Sequence, residues 1–415
     1  MRLDSYPSYK QSGISWYEDI PQGWDVKPLF ALANECSSSN KGMIEDNLLS
    51  LSYGKVINKN INSNDGLLPE SFETYQVVES DDIVLRLTDL QNDKRSLRSA
   101  IVKERGIITS AYLAIRPTNI HPTFLNYLLR AYDLTKVFYS MGGGLRQSMK
   151  FSDVKRLPLI LPSLEEQKSI SMFLDSETAK IDSLVEAQEK LIELLKEKRQ
   201  AVISNAVTKG LDPKVELKDS EVEWLGKVPV HWDVVPLKYF VSMKSGEQIT
   251  SEQIREESAF PVYGGNGLRG YFEKYTHDGE YPLIGRQGAL CGNINYANGK
   301  FWASEHAVVV TPQKMANIFY LGELLRSMNL GQYSTSAAQP GLSVEAIGNL
   351  RIPAPIIEEQ NQIADYLLIE SGKWESLIEA ATQSIKLLQE RRSALISAAV
   401  TGQIDVRNYQ AKESA

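Results

Sequence analysis

A chain of 415 residues with ordinary apolar content has room for two to four domains with real cores. It holds no run of 18 apolar residues and no apolar leader after Met1, so neither a membrane-spanning helix nor a signal peptide is expected; its two cysteines, Cys36 and Cys291, make no disulfide framework, and the cytoplasm is the expected setting. The net charge of −7 argues mildly against nucleic acid, which normally leaves a basic footprint, but Lys94, Arg95, Arg98, Lys103 and Arg105 crowd together, and a local patch can act where net charge does not.

From the N-terminal side, the first landmark is Trp16, Pro21, Trp24, Asp25, Val26, Pro28 and Leu29. It returns as Trp224, Pro229, Trp232, Asp233, Val234, Pro236 and Leu237, 208 positions on. A second block repeats at an offset of 193. Leu164-Glu165-Glu166-Gln167 recurs as Ile357-Glu358-Glu359-Gln360, and the stretch from Arg199 to Thr208 recurs from Arg392 to Thr401. The chain therefore reads as two copies, the second shorter by about 15 residues in its middle. Between the landmarks the copies differ in sequence. A duplicated frame with two unlike inserts suggests one device that reads two different things.

The first insert, about 30–150, reads as mixed α/β. Asp82 to Leu87 alternates like a strand. Gly106 to Arg116 reads as another, ended by Pro117, and Phe124 to Arg130 as a short helix. Gly142-Gly143-Gly144-Leu145-Arg146-Gln147-Ser148 is a polar loop.

From Ser163 to about Ala206 neither Pro nor Gly occurs, and apolar residues recur on alternating steps of four and three: Ile170, Leu174, Ile181, Leu184, Leu191, Leu195 and Val202, with Glu177, Gln188 and Lys198 in the remaining slots. Ser163 and Glu166 suggest a capping box at its start. This spacing predicts a coiled-coil helix, roughly 60 Å long at about 1.5 Å per residue. The alternative is a solvated helix packed on one domain.

The second insert, about 238–346, runs in the same order. Tyr281 to Arg286 and Ala303 to Thr311 read as strands, Phe319 to Leu325 as a helix, and Ser334 to Gly341 as the closing loop. Gly265, Gly267 and Gly270 match the dinucleotide-binding pattern, but that pattern needs a strand before and a helix after. Here Tyr271 to Tyr275 looks extended, so a turn that brings backbone close to a ligand is the preferred reading.

The second long helix carries Ile363, Leu367, Trp374, Leu377, Ala381, Leu388 and Leu395 at the same spacing, with Glu370, Ser384 and Arg391 in the polar slots. Two matched seams favour pairing with each other. Antiparallel pairing would set Glu177 near Arg391 and Lys198 near Glu370, which suits their charges. The expected division is 1–155, first recognition domain; 156–212, first helix and connector; 213–348, second recognition domain; and 349–415, second helix and tail.

Catalytic chemistry is not evident. The four histidines, His121, His231, His277 and His306, lie without a partner at metal-ligand spacing, so no metal site is expected. No P-loop or nucleophile motif occurs.

The order of parts, the duplication and the Trp/Pro/Trp and Leu/Ile-Glu-Glu-Gln landmarks resemble the specificity subunit of type I restriction–modification enzymes over nearly the whole chain. The resemblance implies an α/β fold class: two mixed α/β target-recognition domains, separated by two long helices in an antiparallel coiled coil, with a pseudo-two-fold internal repeat. It implies a non-catalytic subunit that reads a split site on double-stranded DNA. Two methyltransferase subunits would dock on it and restriction/translocase subunits would join them. S-adenosylmethionine is expected on the methyltransferase, and no cofactor on this chain.

Base readout needs Arg, Lys, Asn, Gln, Ser and Thr on rigid edges. Candidate DNA contacts in the first insert are Arg86, Thr88, Gln91, Asn92, Lys94, Arg95, Ser110, Tyr112, Arg146 and Gln147. In the second they are Tyr263, Asn266, Arg269, Arg286, Gln287, Ser304, Glu305, His306, Ser336 and Gln339. Arg146-Gln147 and Arg286-Gln287 stand out, because each sets a guanine reader beside an adenine reader in a Gly-flanked loop. For Arg286 the bland alternative is a strand brace paired with a carboxylate such as Glu305. Two rivals stay open: a two-domain protein-interaction scaffold on a coiled-coil spacer, favoured by the acidic charge, and a self-sufficient enzyme acting on nucleic acid, disfavoured by the missing motifs.

Overall fold

The computed structural model describes residues 4–60, 69, 71–88, 97–141, 148–288, 290–334 and 341–409. Contacts divide the chain into two units, 1–188 with 383–415 and 189–382. Each unit thus owns one insert and part of both long helices.

In the first unit a four-stranded antiparallel sheet runs in the order Ala33–Glu35, Leu113–Pro117, Ile83–Leu85 and Ser99–Ile101. The helix Pro122–Leu134 follows, burying Phe124, Leu125, Leu128, Leu129 and Tyr132. The second unit repeats this plan. Its sheet runs Val241–Ser245, Ala307–Pro312, Tyr281–Gly285 and Ile294–Ala297, and the helix Ile318–Ser327 follows. The unlike inserts therefore share a topology.

Two expected strands are broken by turns. Gly106–Ile108 and Leu113–Pro117 lie in different sheets, because the chain reverses where the Tyr112 N–H donates to the Thr109 carbonyl at 3.1 Å. Likewise Lys300–Ala303 and Ala307–Pro312 are separated by a turn in which the Ala307 N–H donates to the Ser304 carbonyl. The Gly265–Gly270 segment leads into the strand Gly267–Phe272, so the helix that a dinucleotide site requires is missing.

The long helices are Leu164–Lys209 and Ile357–Val400. In the first unit Ile170, Phe173 and Leu174 share a core with Ile396, Ala399 and Val400, while Asp182 meets Arg392 at 2.9 Å. In the second, Ile203, Ala206 and Val207 share a core with Ile363, Ala364 and Leu367, while Arg199 meets Glu375 at 3.6 Å. In each unit, positions rising along one helix match positions falling along the other, so the helices run antiparallel.

The seam itself is shifted by one residue over its middle. Ile170, Leu174, Ile181, Ile363, Leu367, Trp374 and Ala381 are buried as expected, and Leu195, Val202, Leu388 and Leu395 are half-buried. Leu184, Leu191 and Leu377 are exposed, and Val185, Ile192 and Ile378 take the inward slots. Thr178 is buried at one of these shifted positions, with its hydroxyl turned back on the Leu174 carbonyl at 2.6 Å. The order of three- and four-residue steps is thereby reversed, and the polar pairs change with it. Glu177 pairs with Lys180, Glu370 pairs with Lys373, and Lys198 lies over the Trp374 ring.

Candidate nucleic-acid interface

The repeated landmarks converge on the root of each recognition unit. Asp25–Pro28 pairs antiparallel with Pro158–Leu161, and Asp233–Pro236 with Arg351–Ala354, so the strands entering and leaving each insert are tied together. The Gln of each Glu-Glu-Gln motif then does two things. The Gln167 side-chain carbonyl accepts the His121 N–H at 2.8 Å and its amide donates to the Pro162 carbonyl at 2.8 Å. Gln360 accepts from the Asn317 N–H at 3.0 Å and donates to the Pro355 carbonyl at 2.9 Å. Both glutamines are buried and fully engaged, and each fixes the residue that precedes the insert's helix.

The neighbouring glutamate anchors the Trp landmark. Glu359 accepts from Trp232 Nε1 at 3.1 Å and lies 2.9 Å from His231 Nε2. In the first unit Glu166 accepts instead from the Tyr6 hydroxyl at 2.7 Å. The Ser163 hydroxyl does accept the Glu166 N–H at 3.3 Å, but that carboxylate goes to Tyr6, so the expected capping box is half formed. Burial and the Glu166 charge hold the Tyr6 phenol far above its ordinary pKa. The Gln pairings are thus common to both units, whereas the Glu pairing is with Trp232 in one and with Tyr6 in the other.

On the recognition domains themselves, the second unit brings three loops together. Gly265 faces the His306 carbonyl, and any Cβ at Gly285 would collide with the Gly265 carbonyl, so the turns can approach only as glycines. Hydrogen bonds fix the same arrangement: the Arg286 N–H donates to the His306 carbonyl at 2.9 Å, and the Leu342 N–H donates to the Arg286 carbonyl at 3.0 Å. The result is a concavity of about 510 Å³ lined by Gly265, Asn266, Arg269, Gln287, Leu290 and His306. Asn266, Arg269 and Gln287 are exposed there. His306 is half-buried and pairs with Glu305 at 3.1 Å, and Glu305 also accepts from the Ile249 N–H.

Other second-unit candidates fall elsewhere. Ser304 is fully buried, its hydroxyl accepting the His306 N–H, because the turn folds it inward; it is unavailable to DNA in this conformation. Tyr263 packs edge-on against Phe301 in a satellite core. The half-buried Arg286 donates to the Ser245 hydroxyl at 3.1 Å, so its brace is a serine at the end of the Val241–Ser245 strand, which lies beyond Ala307–Pro312 in the same sheet. Ser336 and Gln339 lie outside the described residues.

In the first unit Arg86 and Ser110 are exposed, Thr88 is half-buried, and Tyr112 packs beside a small core. Gln91, Asn92, Lys94, Arg95, Arg146 and Gln147 lie outside the described residues. Part of the basic cluster is already committed. Arg98 is buried against Asp133 at 3.9 Å and donates to the Arg86 and Thr88 carbonyls at 3.0 and 2.8 Å. Arg105 pairs with Glu45 and Glu79. Sequence reasoning missed Arg98 as a brace; its position between a loop and a buried strand was the available signal. The adjoining Arg130 donates to the Gly54 carbonyl, and burial draws its guanidinium down to about 10.

Each of the two units thus carries the same four-stranded sheet and following helix beside an antiparallel pair of long helices. The chain belongs to the type I restriction modification DNA specificity domain family, whose model matches residues 32–194 and 229–369. It is 40% identical over 176 residues to the EcoprrI specificity subunit of Escherichia coli, a match spanning 41% of each protein. It is 22% identical to the MjaVIII specificity subunit of Methanocaldococcus jannaschii over 94% of this chain and 95% of that one. Among solved structures, a chain from work on complex assembly and conformational transition of the type I R-M system aligns with a TM-score of 0.66 at 18% identity, covering 93% of this chain and 99% of that one. The HsdS subunit of Thermoanaerobacter tengcongensis aligns with a TM-score of 0.51 at 18% identity, covering 93% and 98%. No described helix is long and apolar enough to cross a membrane.

Proposed function

We propose that this chain reads a bipartite site on double-stranded DNA, one half-site per recognition unit, and directs partner subunits that methylate adenine and cleave DNA. The observation that carries the reading is the repeated frame. The same Gln anchor in each copy holds two inserts whose main sheets share one strand order and whose sequences differ. Two readers on a fixed spacer recognise two half-sites with an unread gap, as dimer geometry sets half-site spacing. The chain works in the cytoplasm without catalytic residues or cofactor of its own. S-adenosylmethionine belongs to the methyltransferase, which takes its adenine out of the stack. Two methyltransferase subunits dock on the long helices, where Leu368, Ile369 and Leu377 stay exposed, and restriction/translocase subunits join them.

In the second unit, Asn266, Arg269, Gln287 and His306 line the surface that faces the bases. Amide side chains suit adenine edges and guanidinium groups suit guanine. The experiment is an exchange of residues 30–150 for the corresponding insert of another family member, followed by methylation-aware sequencing of the host genome. One half of the methylated motif should change while the other half and the frame stay. A change in both halves together would reject modular reading, and absence of any methylated split motif would favour the protein-interaction scaffold.

A further inference from the structure

The two units differ at one place that the repeat makes directly comparable. In the first unit the residues after the second long helix turn back over it. Val406 is buried in the core, with Ile404 and Tyr409 packed against it. The Tyr409 ring meets Phe173 edge-on at 4.9 Å, and its hydroxyl meets Ser176 at 3.0 Å and Glu177 at 3.5 Å. This segment runs beside a second one, with the Asp405 N–H donating to the Asp4 carbonyl at 2.7 Å.

Among the described residues, only one of these two segments has a counterpart in the second unit. The offset of 208 carries Asp4 onto Asp212, and the offset of 193 carries Asp405 onto Asp212 as well. Residues from Asp212 run into Leu217–Asp219, where Leu217 pairs with Pro229 as Tyr9 pairs with Pro21. Among the described residues, the second unit therefore keeps the path of residues 4–9 and shows no counterpart to the path of 404–409.

The surface that Tyr409 covers is open there. Phe173 is 1% exposed, whereas its counterpart Tyr366 is 38% exposed. Ser176 corresponds to Ile369, which is 62% exposed. A groove of about 460 Å³ lies beside them, lined by Lys198, Ala201, Val202, Asn205, Leu211 and Tyr366. An open aromatic with aliphatic walls is the setting in which a buried aromatic anchor concentrates binding energy.

From this comparison we infer that the groove receives a turn of the methyltransferase partner, which lays an aromatic side chain on Tyr366 as the turn Val406–Tyr409 lays Tyr409 on Phe173. The inference rests on the proposed function for the identity of that partner. Its chemistry comes from the occupied counterpart: an aliphatic residue that sinks into the helix pair and an aromatic residue three positions on. Only the second unit offers this seat. The first fills its own, so the two methyltransferase positions on one chain are unequal.

The test is titration of the full-length chain with the purified methyltransferase of the same host, read by calorimetry and by mass of the complex. Two sites of different affinity are expected. Tyr366→Ala should weaken one site at least tenfold and leave the other unchanged. Ala201→Trp, at an exposed helix position, should do the same by filling the groove, and stands in if Tyr366→Ala does not fold. Benzoylphenylalanine at position 369 should crosslink to a methyltransferase segment that contains an aromatic residue. Equal weakening of both sites, or no weakening by either variant, overturns the inference while leaving the proposed function intact. If the unaltered chain binds no methyltransferase, the proposed function fails and the groove assignment fails with it.

Discussion

The side-chain carbonyl of Gln360 accepts the main-chain N–H of Asn317 at 3.0 Å, just where the helix Ile318–Ser327 begins. The same carboxamide donates to the Pro355 carbonyl at the entry to the long helix. One side chain thus ties the recognition domain to its support, and leaving the two main-chain groups unpaired in a buried place costs about 1–3 kcal/mol. Gln360→Leu should lower the melting temperature of the second unit and speed hydrogen exchange at residues 317–327. Gln167→Leu should do so at residues 121–134. Unchanged exchange in both variants would show that the glutamines are not the link.

Trp232 and Trp24 are equally buried, but their indole N–H groups differ. Trp232 Nε1 donates to Glu359, whereas Trp24 Nε1 has no partner among the described residues. Replacement by Phe removes the indole N–H and much the same ring area from each, so the difference between the two variants reports the bond. Trp232→Phe is expected to cost about 1–3 kcal/mol more than Trp24→Phe, the usual range for a hydrogen bond to a charged group. Chemical denaturation of the two variants side by side measures it.

At the proposed reading surface, Gln287 is exposed and Arg286 is held by Ser245. Gln287→Ala should leave stability within about 0.5 kcal/mol and reduce the specific-to-nonspecific DNA affinity ratio about tenfold, as loss of a bidentate base contact does. Arg286→Ala should lower the melting temperature; if Arg286 also reads a base, the affinity ratio will fall with it. A pure phosphate contact would weaken all sequences alike and reduce the salt dependence. The assay uses the chain in complex with its methyltransferase.

The seam makes a prediction that separates neighbouring residues. Leu377 is exposed and Ile378 is half-buried. Ile378→Ala should destabilise the helix pair by about 1–3 kcal/mol, somewhat below the range for fully buried aliphatics, and Leu377→Ala should be near neutral. The reverse order in thermal melts would restore the phase expected from sequence.

His277 stacks on Phe301 at 5.4 Å and 14°, with Nδ1 2.8 Å from the Thr276 hydroxyl. Burial lowers its pKa, opposed by Glu247 and assisted by Lys244. The folded imidazole therefore binds its proton less readily than the unfolded one. Its contribution to stability is present above the ordinary histidine value, about 6.5, and is lost as pH falls below it. His277→Phe should flatten the fall in second-unit stability between pH 7 and pH 5, followed by hydrogen exchange.

Much of the architecture was legible before any coordinates. The two offsets disclosed the duplication, the absence of Pro and Gly from Ser163 to Ala206 disclosed the first long helix, and the matching apolar spacing disclosed the second; the antiparallel sense was expected correctly, although the charge pairs that suggested it form elsewhere. These features are local or periodic, and a chain carries such information along its length. The strand breaks at Thr109–Tyr112 and Ser304–Ala307 were less visible, because the β-rich runs continue through both turns.

What tertiary structure alone decided is which of two adjacent residues faces inward and which polar groups meet. A three–four alternation fits two neighbouring phases equally well, and only packing against Ile170, Leu174 and the facing helix chooses Val185, Ile192 and Ile378 over Leu184, Leu191 and Leu377. Ser304 and His306 are two residues apart in the same polar stretch, yet the turn buries one and leaves the other on the concave face. Glu359 finds Trp232 across 127 positions, and Tyr409 finds Phe173 across more than 200. Such meetings depend on where distant segments arrive in space, and hydrophobicity and spacing along the chain do not encode that arrival one residue at a time.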